Sequence, residues 1–277
     1  MKKFIALLLT LLLALSAAAP ALAEKQTYRS LYSGEVTTLN YLTTTTTSEF
    51  GLLSNLIDTL VESDRYGQLQ PCLAESWKAS ADGLTWTFCL RHGVQCNAVA
   101  EVTAHDFVTA AEYILNAQHA SGSAKTLYKI IVGAKEYYDG TATPKEGEQP
   151  APKTEWDTVG VKALNDYTLQ YTLKNPVAYF LSMVDNQAFM PVYGPFLTEK
   201  GEQFGLATGN DTLLYCGAYT LTEFKPQETR VLTKNSAYWD LEHVTIDQIV
   251  YRYNKEASTI SADLYLKGEV HSASISA

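Results

Sequence analysis

Residues 73–107 read LAESWKASADGLTWTFCLRHGVQCNAVAEVTAHDF and specify much of their own local structure. The Asp82-Gly83 pair predicts a tight hairpin turn, because glycine tolerates the positive φ that such turns need. The residues after it alternate as in a strand with one buried face: Leu84, Trp86, Phe88 and Leu90 against Thr85, Thr87 and Cys89. Thr103 and Asp106 then have the spacing of a capping box, which predicts the start of a helix.

The same stretch contains a longer residue pattern: L-A-E-S-W, then D-G-L-T-W-T-F, L-R-x-G-V and T-A-x-D-F. A second block has G-A-Y-T-L at 217–221, K-N at 234–235, Y-W-D at 238–240 and K-G-E-V at 267–270. Together they resemble the family 5 extracellular solute-binding proteins, the dipeptide-, oligopeptide- and nickel-binding subunits of ABC importers. His271 stands where the family often has Asp, so the similarity weakens at that point.

The resemblance implies an α/β fold of the periplasmic-binding-protein type (class II, peptide-binding), with mixed sheets and flanking helices. Family members have a discontinuous first lobe, an inserted second lobe and a third lobe. The sequence stops soon after Val270, so we expect the third lobe to be missing and the fold to be incomplete at the C-terminus. On this basis residues 24–55 and 165–277 are the first lobe, and residues 56–164 are the second.

The first 23 residues have the pattern of a secretory signal peptide. Lys2-Lys3 precede an apolar run, and Ala21-Leu22-Ala23 is a cleavage signal before Glu24. The apolar run is too short to span a membrane. No cysteine stands at the cleavage point, where lipid-anchored relatives have one. We therefore expect an exported, soluble protein, periplasmic or extracellular.

The formal net charge of −9 offers no basic surface for nucleic acid or anionic lipid, and both are rejected as partners. Export makes disulfide bonds possible for the four cysteines, whose three pairings the sequence leaves open. We expect a bond among Cys72, Cys89 and Cys96, which lie close together in the sequence.

Periodicity predicts further elements along the chain. They are a strand at 27–32, an extended stretch at 39–47, a helix from Ser48 with an apolar stripe reaching Val61, a helix over 127–138, a hairpin over 159–174, a strand at 189–193, a hairpin over 215–234, a strand at 246–253 and a helix at 256–267. Residues 139–152 are rich in Pro, Gly and charge, which indicates an exposed loop.

Two short segments are candidates for contact with a ligand. In the family, the stretch after the first strand lies against the ligand cleft, and here it contains Thr45, Thr46 and Thr47. Hydroxyl groups there suit a peptide main chain, although a run of five threonines is also typical of a flexible surface loop. The resemblance adds Tyr215, Cys216 and Gly217 at the start of the G-x-Y strand, where Cys216 departs from the usual Asn- or Thr-like residue.

Metal and catalytic sites are not supported by the motifs. Cys89, His92 and Cys96 have a spacing that zinc could use, but a closed site needs a fourth ligand and His105 is only the best candidate. We therefore expect no metal and no cofactor. There is no nucleophile elbow, metalloprotease motif or P-loop, and turn formation explains the carboxylates of Glu75 and Asp82. We predict no catalytic residue and no enzyme.

The sequence therefore predicts a monomeric substrate-binding component of an ABC importer, which captures peptide and delivers it to the permease subunits. The alternatives are a binding protein for an oligosaccharide or nickel chelate, a secreted hydrolase, or a fragment without independent function. Without a third lobe the ligand would stay exposed to water. We then expect peptide to bind weakly or not at all.

Overall fold

The computed structural model describes residues 25–207 and 211–274, so the predicted signal peptide lies outside the described residues. The strands are β1 (Thr27–Tyr32), β2 (Val61–Ser63), β3 (Leu69–Pro71), β4 (Ala74–Ala79), β5 (Thr85–Leu90), β6 (Gln95–Cys96), β7 (Ala100–Glu101), β8 (Val161–Asn165), β9 (Thr168–Thr172), β10 (Tyr219–Lys225), β11 (Thr229–Lys234) and β12 (Gln248–Tyr253). The helices are α1 (Thr47–Leu53), α2 (Ala104–Leu115), α3 (Ala124–Tyr128), α4 (Ala134–Thr141), α5 (Phe180–Met183), α6 (Gly194–Lys200) and α7 (Ala257–Leu266). None of these helices is long and apolar enough to cross a membrane.

The first sheet joins the two ends of the described chain. Its strand order is β1-β12-β11-β10. The first strand runs parallel to β12, with Thr27 opposite Gln248, whereas the remaining neighbours are antiparallel. A parallel pair needs a long connection between its strands, and here that connection contains the whole of the second sheet.

The second sheet has the order β4-β5-β9-β8 and is antiparallel throughout. The predicted hairpin over 159–174 forms as β8 and β9, and Leu169 pairs with Phe88 of β5. The expected return to the first lobe at residue 165 therefore falls inside a hairpin. Strand pairing keeps the chain in the second sheet as far as Thr172.

The signature region forms the predicted hairpin and helix start, but the connection between β4 and β5 is residues 80–84 rather than a tight two-residue turn. Strands β4 and β5 form the hairpin, with Gly83 at φ 70°. Phe88 and Leu90 are buried while Cys89 is exposed. The capping box of α2 is present, and Asp106 accepts a hydrogen bond from the Thr103 N–H at 2.7 Å.

Aromatic packing closes the core behind the second sheet. The Tyr171 ring packs edge-to-face on Phe88, Phe180 and Phe189, with centroids 5.6–6.0 Å apart. All four side chains are buried, and edge-to-face pairs add stability beyond the area they bury. The core thus attaches α5 and the segment after it to the second sheet.

Helix α1 ends at Leu53, although the apolar stripe predicted a helix reaching Val61. Its continuation would need the carbonyls of residues 55 and 56 as helical acceptors. They accept instead from Tyr219 (3.0 Å) and Gly217 (2.8 Å). The residues that follow remain buried, but as a turn leading into β2.

Two further predictions are wrong. The helix over 127–138 is divided into α3 and α4 at Gly133, whose φ is 70° and whose Cβ position would lie 2.4 Å from the Thr158 carbonyl oxygen. The predicted strand at 189–193 does not form, because Pro191 has no N–H and Val192 donates to Asp106 rather than to a neighbouring strand.

Candidate functional site

Glu49 organises the loop that contains the threonine run. It lies in the first turn of α1, yet it is only 1% exposed. One oxygen accepts from the N–H and the hydroxyl of Thr37, both at 2.9 Å, and from the Thr38 N–H at 3.1 Å. The other oxygen accepts from the Thr44 hydroxyl. Burial acts to raise the pKa of this carboxyl, but the hydrogen bonds outweigh it and the pKa is lowered. Glu49 is therefore ionised at neutral pH.

The threonine loop, residues 43–47, consequently points some hydroxyls inward and others outward. Thr44 is buried against Glu49, and its Oγ1 also accepts from the Thr46 N–H at 3.1 Å. Thr45, Thr46 and Thr47 are exposed and consecutive. The structure thus brings these three predicted ligand residues together on one surface.

The loop packs against the segment between α2 and α3. The Ser121 hydroxyl donates to the Leu42 carbonyl at 2.5 Å, and the Gly122 N–H donates to the Thr43 carbonyl at 3.0 Å. A Cβ at Gly122 would lie 2.5 Å from Cγ2 of Thr45, so only glycine permits this approach. The exposed threonines therefore lie beside the segment between α2 and α3.

An open groove of about 420 Å³ lies between the end of β1 and the start of α1. It is lined by Leu31, Tyr32, Ser33, Gly34, Ser48, Gly51, Leu52, Arg230 and Tyr251. Arg230 is 4% exposed, and its guanidinium is paired with Glu35 at 3.2 Å and stacked 3.7 Å from the Tyr32 ring. Its charge is therefore largely compensated within the protein. Among the described residues, the Tyr32 hydroxyl and the Arg230 Nε have no hydrogen-bond partner.

Tyr215, Cys216 and Gly217 are placed differently from the threonines. Tyr215 and Cys216 are 4% and 2% exposed, and none of the three residues lines the groove. A Cβ at Gly217 would lie 2.7 Å from the backbone of Leu56. The structure therefore packs this segment against residues 55–57 and does not expose it beside the threonines.

A half-buried carboxylate that no sequence pattern singles out connects the two signature blocks. Asp58 accepts from the Trp239 Nε1 at 3.0 Å and also hydrogen-bonds to Tyr238 and Cys72. Burial raises the pKa of Asp58 to about 6. The Arg91 guanidinium lies 4.0 Å from the Trp239 ring centroid. The Tyr-Trp pair is the only sequence signal for this contact, because it indicates a packed aromatic corner.

The described residues show one group of potential metal ligands within 4.8 Å of one another: Asp240, Glu242 and His243. It is largely exposed, and His243 Nδ1 lies 2.5 Å from Asp240, whose hydrogen bond raises the pKa of the imidazole. A turn with a local ion pair explains this arrangement. The candidates Cys89, His92 and Cys96 are not brought into any such group.

Comparisons with known proteins agree with the family resemblance found in the sequence. A family model described as bacterial extracellular solute-binding proteins, family 5 Middle, matches residues 68–277. The oligopeptide-binding protein AmiA of Streptococcus pneumoniae is 36% identical over 82% of this chain and 33% of its own length. The periplasmic oligopeptide-binding protein OppA of Escherichia coli is 33% identical over 86% of this chain and 42% of its own.

Solved structures agree. The substrate-binding domain of an oligopeptide ABC transporter from Bacillus anthracis superposes with a TM-score of 0.78 at 31% identity, covering 90% of this chain and 45% of that one. A periplasmic oligopeptide-binding protein from Borrelia burgdorferi has the same TM-score at 28% identity, with 89% and 46% covered. The chain thus spans 33% to 46% of the length of these relatives.

Proposed function

Because the chain belongs to family 5 of the bacterial extracellular solute-binding proteins, we propose that it forms part of the substrate-binding component of an ABC importer and that its ligand is a peptide. The sequence relatives described above are oligopeptide-binding proteins, and the Bacillus anthracis structure is the substrate-binding domain of an oligopeptide ABC transporter. The partners in this proposal are peptide and the permease subunits in the membrane. The protein acts outside the cytoplasm as a monomer and catalyses no reaction.

The observation that supports this proposal most strongly is the exposed row of Thr45, Thr46 and Thr47 at the junction of the lobes. A hydroxyl group both donates and accepts hydrogen bonds, so it suits the alternating N–H and C=O groups of a peptide main chain. Such contacts hold a backbone without selecting side chains. Because contacts with Glu49 and Gly122 already hold the loop in place, it loses little conformational entropy when peptide binds.

Tyr215, Cys216 and Gly217 have a supporting role in the proposal. Their burial leaves no surface for direct contact with peptide. They hold the start of β10 against residues 55–57, and the same contacts end α1. We propose that they position the threonine loop indirectly, by fixing the helix that follows it.

In this proposal each lobe is built on one of the two four-stranded sheets. The first lobe is built on β1, β10, β11 and β12, and the second on β4, β5, β8 and β9. Ligands of two-lobed binding proteins lie between lobes that close over them. The exposed threonines belong to the first lobe and rest on the second, which is the position that such a ligand requires.

Saturation-transfer NMR with the chain from residue 24 onward tests the ligand class. Tri- and tetrapeptides, maltotetraose and a nickel–histidine chelate are offered separately. We expect transfer to the peptides alone and weak affinity, because water competes for each exposed contact and leaves it about 0.5–1.5 kcal/mol. Transfer to the sugar or the chelate but not to peptide would contradict the proposal.

Substitutions test whether peptide binds at the threonine loop or elsewhere on the surface. In the triple variant T45A/T46A/T47A we expect the peptide signal to be lost. Thr259→Ala, which changes an exposed threonine on α7, is the matched control and should leave the signal unchanged. Equal signals from both variants would show that the threonine loop is not the binding surface.

A further inference from the structure

The two lobes are joined at an interlobe seam, formed by residues 96–97 of the second lobe and residues 215–216 of the first. The Asn97 N–H donates to the Tyr215 carbonyl at 3.1 Å, and the Tyr215 N–H donates to Asn97 Oδ1 at 2.9 Å. Asn97 adopts a positive φ of 49°, which asparagine tolerates better than most residues. This reciprocal pair holds together two backbone segments that are far apart in the sequence.

A cysteine adjoins each partner of this pair, and the two thiols meet inside the seam. Cys96 is 9% exposed and Cys216 is 2% exposed. The Cys216 thiol hydrogen-bonds to the sulfur of Cys96, and this contact together with burial raises the pKa of Cys216 well above its ordinary value. Both side chains line a cavity of about 10 Å³, which is too small for a ligand.

The other two cysteines have different surroundings. Cys72 is buried and hydrogen-bonds to Asp58. Cys89 lies on the exposed face of β5. All four cysteines are free in the structure, and the bond expected among Cys72, Cys89 and Cys96 is not formed there. The thiol next to that of Cys96 is the thiol of Cys216, which is distant in the sequence.

We propose that Cys96 and Cys216 form a disulfide bond in the mature protein and that this bond fastens the first lobe to the second at the interlobe seam. The oxidant is a small or protein disulfide, R–S–S–R. The Cys96 thiolate attacks one of its sulfurs and releases one R–SH after protonation. Cys216 then attacks the sulfur of Cys96 and releases the second R–SH, so that two protein thiols are oxidised and one disulfide is reduced.

The position of the bond has a structural consequence. It lies beside the contacts that hold residues 215–217 on the turn after α1, and those contacts support the threonine loop. A covalent link there keeps the two lobes in register at one point while leaving the distant ends of the sheets free to move. This inference rests on the proposed function in one respect only: that function places the protein in an oxidising compartment.

Peptide mapping of the full chain, equilibrated in a glutathione buffer, tests the bond without depending on export. Trypsin separates the four cysteines into four peptides: residues 66–78, 79–91, 92–125 and 201–230. After alkylation under denaturing conditions we expect peptides 92–125 and 201–230 to be linked, and the other two to be alkylated. Four alkylated cysteines, a link that involves Cys72 or Cys89, or glutathione adducts on Cys96 and Cys216 would each overturn the proposal.

Variants distinguish the bond from incidental oxidation. C96S and C216S should each abolish the linked peptide, whereas C89S should retain it. The unmodified chain should melt at a higher temperature in oxidised than in reduced buffer, and the double variant C96S/C216S should melt at the same temperature in both. Equal melting of the unmodified chain in both buffers would refute a fastening role. Peptide binding is measured separately, so failure of the bond leaves the proposed function untouched.

Discussion

Replacing Glu49 by alanine should destabilise the protein and release the threonine loop. The substitution removes the acceptor for two backbone N–H groups and two hydroxyls. An unsatisfied buried donor costs about 1–3 kcal/mol, and donors that water can reach cost less. Since Thr44 is buried while Thr37 is exposed, we expect a total loss of about 3–4 kcal/mol. At about 2–4 °C per kcal/mol for a chain of this size, the melting temperature should fall by about 6–16 °C.

Urea unfolding of three variants measures this effect. Glu49→Gln keeps an acceptor oxygen and should lose only about 1–2 kcal/mol, because the charge-assisted hydrogen bonds become neutral ones. Glu75→Ala changes an exposed carboxylate of β4 and should stay within about 0.5 kcal/mol of the unmodified chain. A loss below about 1 kcal/mol for Glu49→Ala would refute the reasoning.

The pH dependence of Glu49 has a definite sign. Its folded pKa is lowered from 4.5, so its contribution to the free energy of unfolding is fully present above about pH 4.5 and is lost as the pH falls through the folded value. The difference between the unmodified chain and Glu49→Gln should therefore shrink in acid. A difference that stays constant down to pH 3 would contradict the lowered pKa.

Three further predictions concern the framework. The pKa of Asp58 is raised from 3.8 to about 6, so its ionisation lowers the free energy of unfolding progressively between those two pH values and by a constant amount above them. Asp58→Asn should therefore raise the free energy of unfolding at pH 8 and have less effect at pH 5. The reverse order in urea unfolding would contradict this. Gly217→Ala forces a Cβ against backbone atoms 2.7–2.9 Å away and should cost more than about 2 kcal/mol of stability. Gly51→Ala, on α1 with no atom within 4 Å of the new Cβ, should instead stabilise the protein by about 0.5–1 kcal/mol. Similar melting temperatures for the two variants would disprove the crowding at Gly217. Thr103→Ala removes the N-cap of α2 and should cost about 1 kcal/mol by calorimetry, and an unchanged melting temperature would count against the cap.

The sequence predicted the elements whose causes are local. The positive φ at Gly83, the alternation of Phe88, Cys89 and Leu90 at the end of β5 and the capping box of α2 depend on neighbours within a few residues, and all three are present. Helix α1 was predicted too long for the opposite reason. Its end is set by hydrogen bonds from residues 217 and 219, which no local pattern reveals.

In the candidate site, too, the local features were predictable and the long-range contacts were not. Thr45, Thr46 and Thr47 form one exposed surface, as a polar run after the first strand suggests. The role of Glu49 was not predictable, since nothing in its sequence neighbours shows that the loop folds back over it. The backbone N–H of Tyr215 donates to Asn97 Oδ1, which is 118 residues away in the sequence. Long-range contacts of this kind lie beyond the reach of periodicity and motif spacing.

The central claim is that the threonine loop is the peptide-facing surface of this chain. Spectra of the chain with ¹³C-labelled threonine methyl groups test it most directly, during titration with a tripeptide. We expect the methyl signals of Thr45, Thr46 and Thr47 to shift progressively while that of Thr259 stays fixed. Shifts confined to other threonines, or none at millimolar peptide, would contradict the claim.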